Sequence, residues 1–115
     1  MFNIYARREQ YKGFDIVVKL LKLFNDPIAT GCWYCGYVRI PVDHKFYCMD
    51  YGEIERSVSV HGGITFFGGL QGLDGFYIGF DCGHGGDTPQ VQDEEYTLKE
   101  CMRLVDQLIE VGDAI

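Results

Sequence analysis

The chain of 115 residues is long enough for one compact domain and too short for two, because domains usually span roughly 100–150 residues. Apolar residues make up 47% of the chain and aromatic residues 15%, which supports a hydrophobic core and excludes global disorder. Ten basic against seventeen acidic side chains give a net charge of −7. This charge disfavours direct binding to duplex DNA, to RNA or to an anionic membrane surface.

No apolar run approaches the roughly 20 residues that cross a bilayer, and the first ten residues lack the apolar stretch of a signal peptide. The five cysteines are an odd count, which fits free thiols in a reducing compartment. We therefore expect residues 1–115 to form a single cytoplasmic domain with no membrane partner.

Residues 14–24 (FDIVVKLLKLF) are ambiguous, because their pattern fits both a helix with two lysines on one side and a buried strand. Gly13 leaves little room for a helix cap before them, and residues 25–27 (Asn-Asp-Pro) form a turn after them. The preferred interpretation is a strand that pairs with residues 33–40 in a hairpin. Residues 33–40 are aromatic and β-branched and stop at Pro41, as expected for a strand.

Two further strands are predicted from an alternation of period two. Residues 57–61 alternate valine with serine, and residues 64–66 resume the alternation after two glycines. Residues 76–81 place three apolar side chains on one face, whereas Tyr77 and Asp81 lie on the other. Both strands lead into histidines flanked by glycine.

The last segment has the clearest periodicity, with apolar residues at the three-four spacing of one helix face. These residues are Leu98, Cys101, Met102, Val105, Leu108 and Ile109. Thr97 and Glu100 match a Thr-x-x-Glu capping box and Gly112 is placed as a C-terminal stop, so a helix over residues 97–111 is predicted. The expected fold class is α+β, a small antiparallel sheet of about four strands with this C-terminal helix packed on one face.

Glycine and histidine mark the candidate site. Ten of the fifteen glycines lie between Gly62 and Gly86, among aromatic and aliphatic residues, which is typical of ordered loops with unusual backbone angles. All three histidines stand beside turn-forming residues, at or just after a predicted strand, where backbone can approach a ligand. The predicted ligand-binding residues are Tyr37, His44, His61, Gly62, Gly63, Asp81, His84 and Asp87. Tyr37 and Tyr77 are expected to wall this pocket.

A subset of these residues also has metal-binding chemistry. His61, Asp81, His84 and Asp87 combine imidazole and carboxylate groups, the mixture that binds a divalent metal or performs acid–base chemistry near neutral pH. No spacing matches HExxH or another defined metal motif. The structural alternative stays open, in which glycines make tight turns and Asp and His side chains satisfy backbone groups there.

Other motifs carry less weight. Cys32 and Cys35, with His44 and Cys48, have the residue types of a zinc site, but a strand in this segment would point Cys32 and Cys35 to opposite faces. P-loop, dinucleotide-binding and nucleophile-elbow motifs are absent from the sequence. Glycine-rich backbone can cradle an anion, and Arg39 is among the basic residues available as countercharge.

Several groups of residues between residues 30 and 111 form a distinctive pattern. They are Cys35-Gly36-Tyr37-Val38 with Pro41 and His44, Asp50-Tyr51, Val60-His61-Gly62-Gly63-Ile64-Thr65-Phe66, Gly79-Phe80-Asp81-Cys82-Gly83-His84 with Gly86-Asp87 and Pro89, and the closing helix. This pattern resembles a family of small proteins of unassigned biochemical role that phages and prophages of many bacteria encode. That family more often has Ala at the positions of Gly83 and Gly85, and Cys32 and Cys48 do not belong to its pattern.

The resemblance implies a phage origin and no particular reaction. Our first hypothesis is a viral accessory protein of the host bacterial cytoplasm that acts in counter-defence (immune evasion). It would bind a host protein or a small signalling ligand through the predicted pocket. Two alternatives stay open: a metal-dependent hydrolase that uses the four metal-type residues, and an acidic, anti-CRISPR-like inhibitor whose helix occupies a nucleic-acid channel of a host effector. Binding is favoured over catalysis.

Overall fold

The described part of the chain contains five strands and two helices. The computed structural model describes residues 2–22, 32–83, 86–88 and 90–113. In chain order the elements are β1 (Phe2–Tyr11), β2 (Phe14–Lys22), β3 (Cys32–Ile40), α1 (Tyr51–Ser57), β4 (Phe66–Leu70), β5 (Leu73–Asp81) and α2 (Glu94–Asp113). The strands form one antiparallel sheet of order β1-β2-β3-β5-β4, and α2 packs against β1, β2 and β3. The predicted α+β architecture is confirmed, with five strands in place of about four.

Two of the five strands were not predicted, β4, which begins only at the last residue of the predicted 64–66 segment, and β1, whose polar residues hide the alternation. β1 lies at the sheet edge, where charged side chains are tolerated and discourage pairing with other chains. Lys12 and Gly13 join it to β2 with φ of 51° and 85°, as in a two-residue hairpin turn of type I′. The strand interpretation of residues 14–24 is confirmed up to residue 22, and this strand pairs with β3 as expected. Residues 23–31 lie outside the described part of the chain.

The main core lies between the sheet and α2. Its largest fully buried side chains include Phe46, Phe80, Ile16, Ile40, Ile54, Leu104 and Leu108. Gly36 of β3 allows the helix to come close, because a Cβ at this position would stand 2.6 Å from Cys101 Sγ and 2.6 Å from the Phe80 ring. The separation between the sheet and the helix therefore depends on a missing side chain.

The opposite face of the sheet, called the second face below, carries a smaller core. Its buried members are Val17, Cys35, Tyr37, Leu70 and Tyr77. Tyr5 of β1 donates a hydrogen bond of 2.6 Å to the Gln71 carbonyl, in the turn between β4 and β5. This contact joins one edge of the sheet to the turn beside the other edge. Strand β5 is consequently buried on both faces, whereas its alternation predicted only one buried side.

Helix α2 begins three residues before its predicted start and spans Glu94–Asp113. Its N-terminal cap is Asp93, whose carboxylate accepts the Tyr96 N–H at 2.8 Å. The predicted capping box at Thr97 and Glu100 is wrong, because Thr97 is buried inside the helix and its hydroxyl donates to the Asp93 carbonyl. Gly112 does not stop the helix and lies within its last turn. Among the described residues, neither helix is both long and apolar enough to cross a membrane.

The strand predicted over residues 57–61 is wrong. The first of these residues closes α1, Val58 is extended, and residues 58–60 do not pair in the sheet. Val58 and Val60 still pack on the core, which explains the alternation. The backbone of Ser59 bonds to α2 in place of a strand, because Gln107 accepts its N–H at 2.7 Å and donates to its carbonyl at 2.8 Å.

Candidate functional site

His61 contacts two segments that lie far from it in sequence, the loop before α2 and the first turn of α2. Its imidazole Nε2 lies 2.8 Å from Oδ2 of Asp87, in the loop before α2, and Nδ1 lies 2.9 Å from the hydroxyl of Tyr96, in α2. The side chains of His61 and Asp87 are 20% and 9% exposed. The Tyr96 ring packs edge-on against the imidazole, with centroids 5.4 Å apart. We call His61, Asp87 and Tyr96 the histidine junction.

The partners determine where the protons of the histidine junction lie. In a neutral imidazole one nitrogen donates and the other accepts, and a carboxylate only accepts. Nε2–H therefore donates to Asp87, and Nδ1 accepts from the Tyr96 hydroxyl. Burial, with a smaller contribution from the Glu100 carboxylate, raises the pKa of Tyr96 and keeps its phenol protonated at neutral pH. Both nitrogens of the ring are engaged within the protein.

Glu100 holds the main chain of His61 in place. Its carboxylate accepts the His61 N–H at 2.7 Å, and Arg103 donates to both of its oxygens, at 3.0 and 2.9 Å. Arg103 also donates to the Ser59 carbonyl at 2.9 Å. Hydrogen bonds from Arg103, and then from the His61 N–H, lower the pKa of Glu100. The loop that carries His61 is thus bonded to successive turns of α2.

The glycines beside the histidine junction have backbone angles that favour glycine. Gly62, Gly63 and Gly86 have φ of 69°, 84° and 92°. No described atom lies within 4 Å of the position that a Cβ would take at Gly63 or Gly86. Conformation, and not crowding, therefore requires glycine at these two positions, and the backbone there is accessible to a partner.

The described hydrogen bonds of Asp81 are made to residues outside the histidine junction. Asp81 ends β5, and its carboxylate accepts the Thr65 hydroxyl at 3.1 Å and the Gly83 N–H at 3.0 Å. Within the described ranges, no three His, Cys, Asp or Glu side chains form a group that could hold a metal ion. His84, a member of the predicted ligand and metal sets, lies outside the described residues, so the four-residue metal site stays a prediction.

His44 lies toward the other end of α2 and has structural bonding. Its Nε2–H donates to the Leu108 carbonyl at 2.8 Å, and its Nδ1 accepts the Phe46 N–H at 3.0 Å. Leu108 is about 18 Å along the helix from Tyr96, at 1.5 Å per residue. The structure therefore does not bring His44 to His61.

Tyr37 and Tyr77 lie on the second face and not at the histidine junction. They are 5% and 3% exposed. Tyr37 packs over Gly79 and edge-on against Phe66, with ring centroids 5.1 Å apart. Burial raises the pKa of both phenols. Neither tyrosine walls the loops around His61.

Tyr96 and Glu100 were missed as site residues by the sequence analysis. Glu100 was assigned to a capping box, and Tyr96 was placed before the start of the helix. A helix that begins at residue 94 puts the two side chains one turn apart on the same face. Asp93 as the N-terminal cap of α2 was the sequence signal from which Tyr96 and Glu100 could have been placed on this face.

Comparison with known protein families, with curated proteins and with solved structures finds no match for this chain. The site is therefore interpreted from its own chemistry.

Proposed function

We propose that the chain is a small phage-type accessory protein that counters host defence by binding a host protein at the histidine junction. The observation that carries the proposal is the bonding of His61 to Asp87, Tyr96 and Glu100. These bonds hold His61 and Asp87, each next to a glycine, against a helix, and residues that are already held in place lose less entropy when they bind. The phage-type and counter-defence parts of the proposal rest on the motif resemblance described above.

Charge beside the histidine junction supports a partner with basic side chains. Asp87 and Glu100 belong to or contact the junction, and Glu94 and Glu95 stand in the first turn of α2. Arg7 of β1, with contacts of 3.3 and 2.5 Å to Glu94 and Glu95, and Arg103, which pairs with Glu100 at 2.9 Å, compensate part of this charge. The remaining negative potential attracts Lys or Arg and repels a phosphate-bearing ligand.

The acidic-helix alternative has less support, because several carboxylates of α2 are paired within the protein. Asp106 pairs with Lys12 at 2.9 Å, and Arg7 contacts the first turn of the helix. Glu110 is exposed on the outer face and makes no ion pair within the described part of the chain. Charge reversal at Glu110 therefore tests that alternative without breaking an internal ion pair.

The hydrolase alternative needs a ring nitrogen of His61 with a lone pair directed at a metal. In the neutral ring that lone pair accepts from Tyr96. The described bonds of Asp81 are to Thr65 and Gly83, which places them away from the imidazole contacts. These contacts favour binding as the function of the site.

Phage plaquing in bacteria that carry a defence system provides the test. We expect the wild-type chain to restore plaquing, and His61→Ala to abolish the restoration because the imidazole bonds to Asp87 and Tyr96 are lost. Gln90→Arg, at an exposed position between Asp87 and α2, should reduce it by adding bulk and positive charge without touching the junction. Glu110→Lys is the matched control and should retain activity.

The melting temperature of each variant separates loss of binding from loss of folding. Failure of the wild-type chain against every member of a panel of defence systems would contradict the counter-defence role. Full activity of both His61→Ala and Gln90→Arg, with loss of activity in Glu110→Lys, would transfer the function to the acidic helix.

A further inference from the structure

A row of aromatic rings lies beside β4, on the side of the sheet that carries the main core. Neighbouring rings contact each other: the centroids of Tyr47 and Phe76 are 5.9 Å apart, those of Phe76 and Phe67 6.3 Å, and those of Phe67 and Tyr51 5.2 Å. We call these four residues the aromatic row. It runs from the loop after β3 across β5 and β4 to α1, and it includes no residue of the histidine junction.

Part of the aromatic row is exposed. Phe67 is 47% exposed and Tyr47 is 38% exposed. Val42, in the same loop as Tyr47, is 74% exposed. These are three of the five large apolar side chains that are exposed in the described part of the chain. Exposed apolar side chains that gather in one place mark an interaction surface, whereas single ones are ordinary.

Phe67 belongs to an edge strand that has no charged side chain to protect it. β4 ends the sheet, so within the described residues no strand pairs with its outer side. At the opposite edge, β1 carries Arg7, Arg8 and Glu9, charges that discourage pairing. Residues 57–73, which include all of β4, contain no Asp, Glu, Lys or Arg. An extended segment of another protein can therefore lie along β4 and reach the aromatic row.

The charge beside the aromatic row is negative. Residues 41–57 and 66–76, which contain the row, carry five acidic and two basic side chains, a balance of −3: Asp43, Asp50, Glu53, Glu55 and Asp74 against Lys45 and Arg56. Internal ion pairs do not change this balance, because Arg56 pairs with Glu53, and Arg39 of the neighbouring β3 pairs with Asp15. The charge therefore favours a partner with basic side chains.

Glu55 places a carboxylate at the α1 end of the aromatic row. It stands one helical turn after Tyr51, and it is the main cause of the raised pKa of the Tyr51 phenol. The ring of Tyr51 packs on Phe67 with 33° between the ring planes. An exposed aromatic face beside a carboxylate suits a guanidinium, because the ring attracts the cation and the carboxylate accepts its N–H groups.

We propose that the aromatic row binds an extended, arginine-bearing segment of a partner protein, with a guanidinium stacked on Phe67 and bonded to Glu55. The main chain of the segment lies along the outer side of β4. The proposal does not rest on the proposed function, because the aromatic row and the histidine junction share no residue.

Titration of the isotope-labelled chain with blocked five-residue peptides at low salt tests the proposal by NMR. A peptide of alternating arginine and alanine should bind and shift the resonances of Phe67, Tyr51 and Tyr47. The same peptide with lysine should bind more weakly, since a guanidinium stacks better on a ring, and the one with glutamate should not bind. Phe67→Leu keeps apolar bulk and removes the ring, so it should weaken binding roughly fivefold, equivalent to about 1 kcal/mol. Glu55→Gln should weaken it roughly twofold to fivefold.

Two matched controls lie outside the aromatic row. Val91→Ala shortens another exposed apolar side chain, and Glu110→Gln removes the same charge from α2. Both should bind the arginine peptide like the wild type. Absence of binding up to millimolar peptide, equal affinity for the arginine and glutamate peptides, or equal losses in Glu55→Gln and Glu110→Gln would overturn the proposal. Shifts centred on Tyr96 would assign the peptide to the histidine junction and overturn it as well.

Discussion

The two described histidines illustrate how the partners of an imidazole decide its role. Among the described residues, His44 hydrogen-bonds only main-chain groups, the Leu108 carbonyl and the Phe46 N–H, and so satisfies backbone near the C-terminal end of α2. His61 bonds a carboxylate and a phenol, groups that can exchange protons or bind a partner. The chemistry of the site is therefore concentrated at His61.

The carboxylate of Glu100 makes stability depend on acid pH. Its pKa is lowered in the folded chain, chiefly by Arg103, so its contribution is complete above the unfolded pKa of about 4.3 and is lost as pH falls through the lower folded value. Glu100→Gln should lower the free energy of unfolding at pH 7 by about 1 kcal/mol. The difference from wild type should shrink towards pH 3 in denaturant titrations followed by circular dichroism.

Glu110→Gln is the control on the same helix, because Glu110 is exposed on its outer face. It should follow the wild-type pH dependence throughout. A loss in Glu100→Gln that stays constant from pH 7 to pH 3 would contradict the assignment of the charge to the Arg103 pair.

At the scale of elements, the seating of α2 on β3 positions the whole site. Gly36 permits the close approach, and the helix then presents Tyr96 and Glu100 to the loop of His61. The backbone of Ser59, just before that loop, is hydrogen-bonded by the side chain of Gln107 in the same helix. The site depends on the position of one helix relative to the sheet.

Gly36→Ala should destabilise the fold, because its methyl group would overlap Cys101 Sγ and the Phe80 ring, both buried. Overpacking of this kind costs about 1–3 kcal/mol or more. Gly69→Ala is the matched strand control, since its nearest atom, the Gly75 carbonyl oxygen, is 3.9 Å from the added Cβ. Thermal melts of the two variants should differ clearly, and equal melting temperatures would refute the close-packing account.

The sequence carried enough information for most of the fold and for less of the site. Apolar periodicity gave α2 and the strand at residues 76–81, because burial on a face repeats along an element. Apolar periodicity did not predict β1, because the polar residues of this edge strand obscure its alternation. It also did not predict that Gln107 would bond the backbone of Ser59 in place of sheet pairing. His44 and His61 have similar turn-forming neighbours, and their separation depends on which turn of α2 each loop meets.

At the scale of the whole molecule, acidic side chains gather around the histidine junction and α2. The loops of the histidine junction and α2 carry the acidic side, with Asp87 and Glu100 near its centre. The pockets on the side of the second face carry both signs, because Arg8 and Arg39 lie there beside Glu9 and Asp15.

The histidine junction, which joins His61 to residues 26 and 35 positions later in the chain, is tested most directly by the tautomer of His61. Long-range proton–nitrogen NMR correlations on the neutral ring, with the pH range set by titration, identify which nitrogen carries hydrogen. We predict hydrogen on Nε2, facing Asp87, and a change at Nδ1 in Tyr96→Phe. Hydrogen on Nδ1, or a ring unaffected by Tyr96→Phe, would contradict the junction and the binding site built on it.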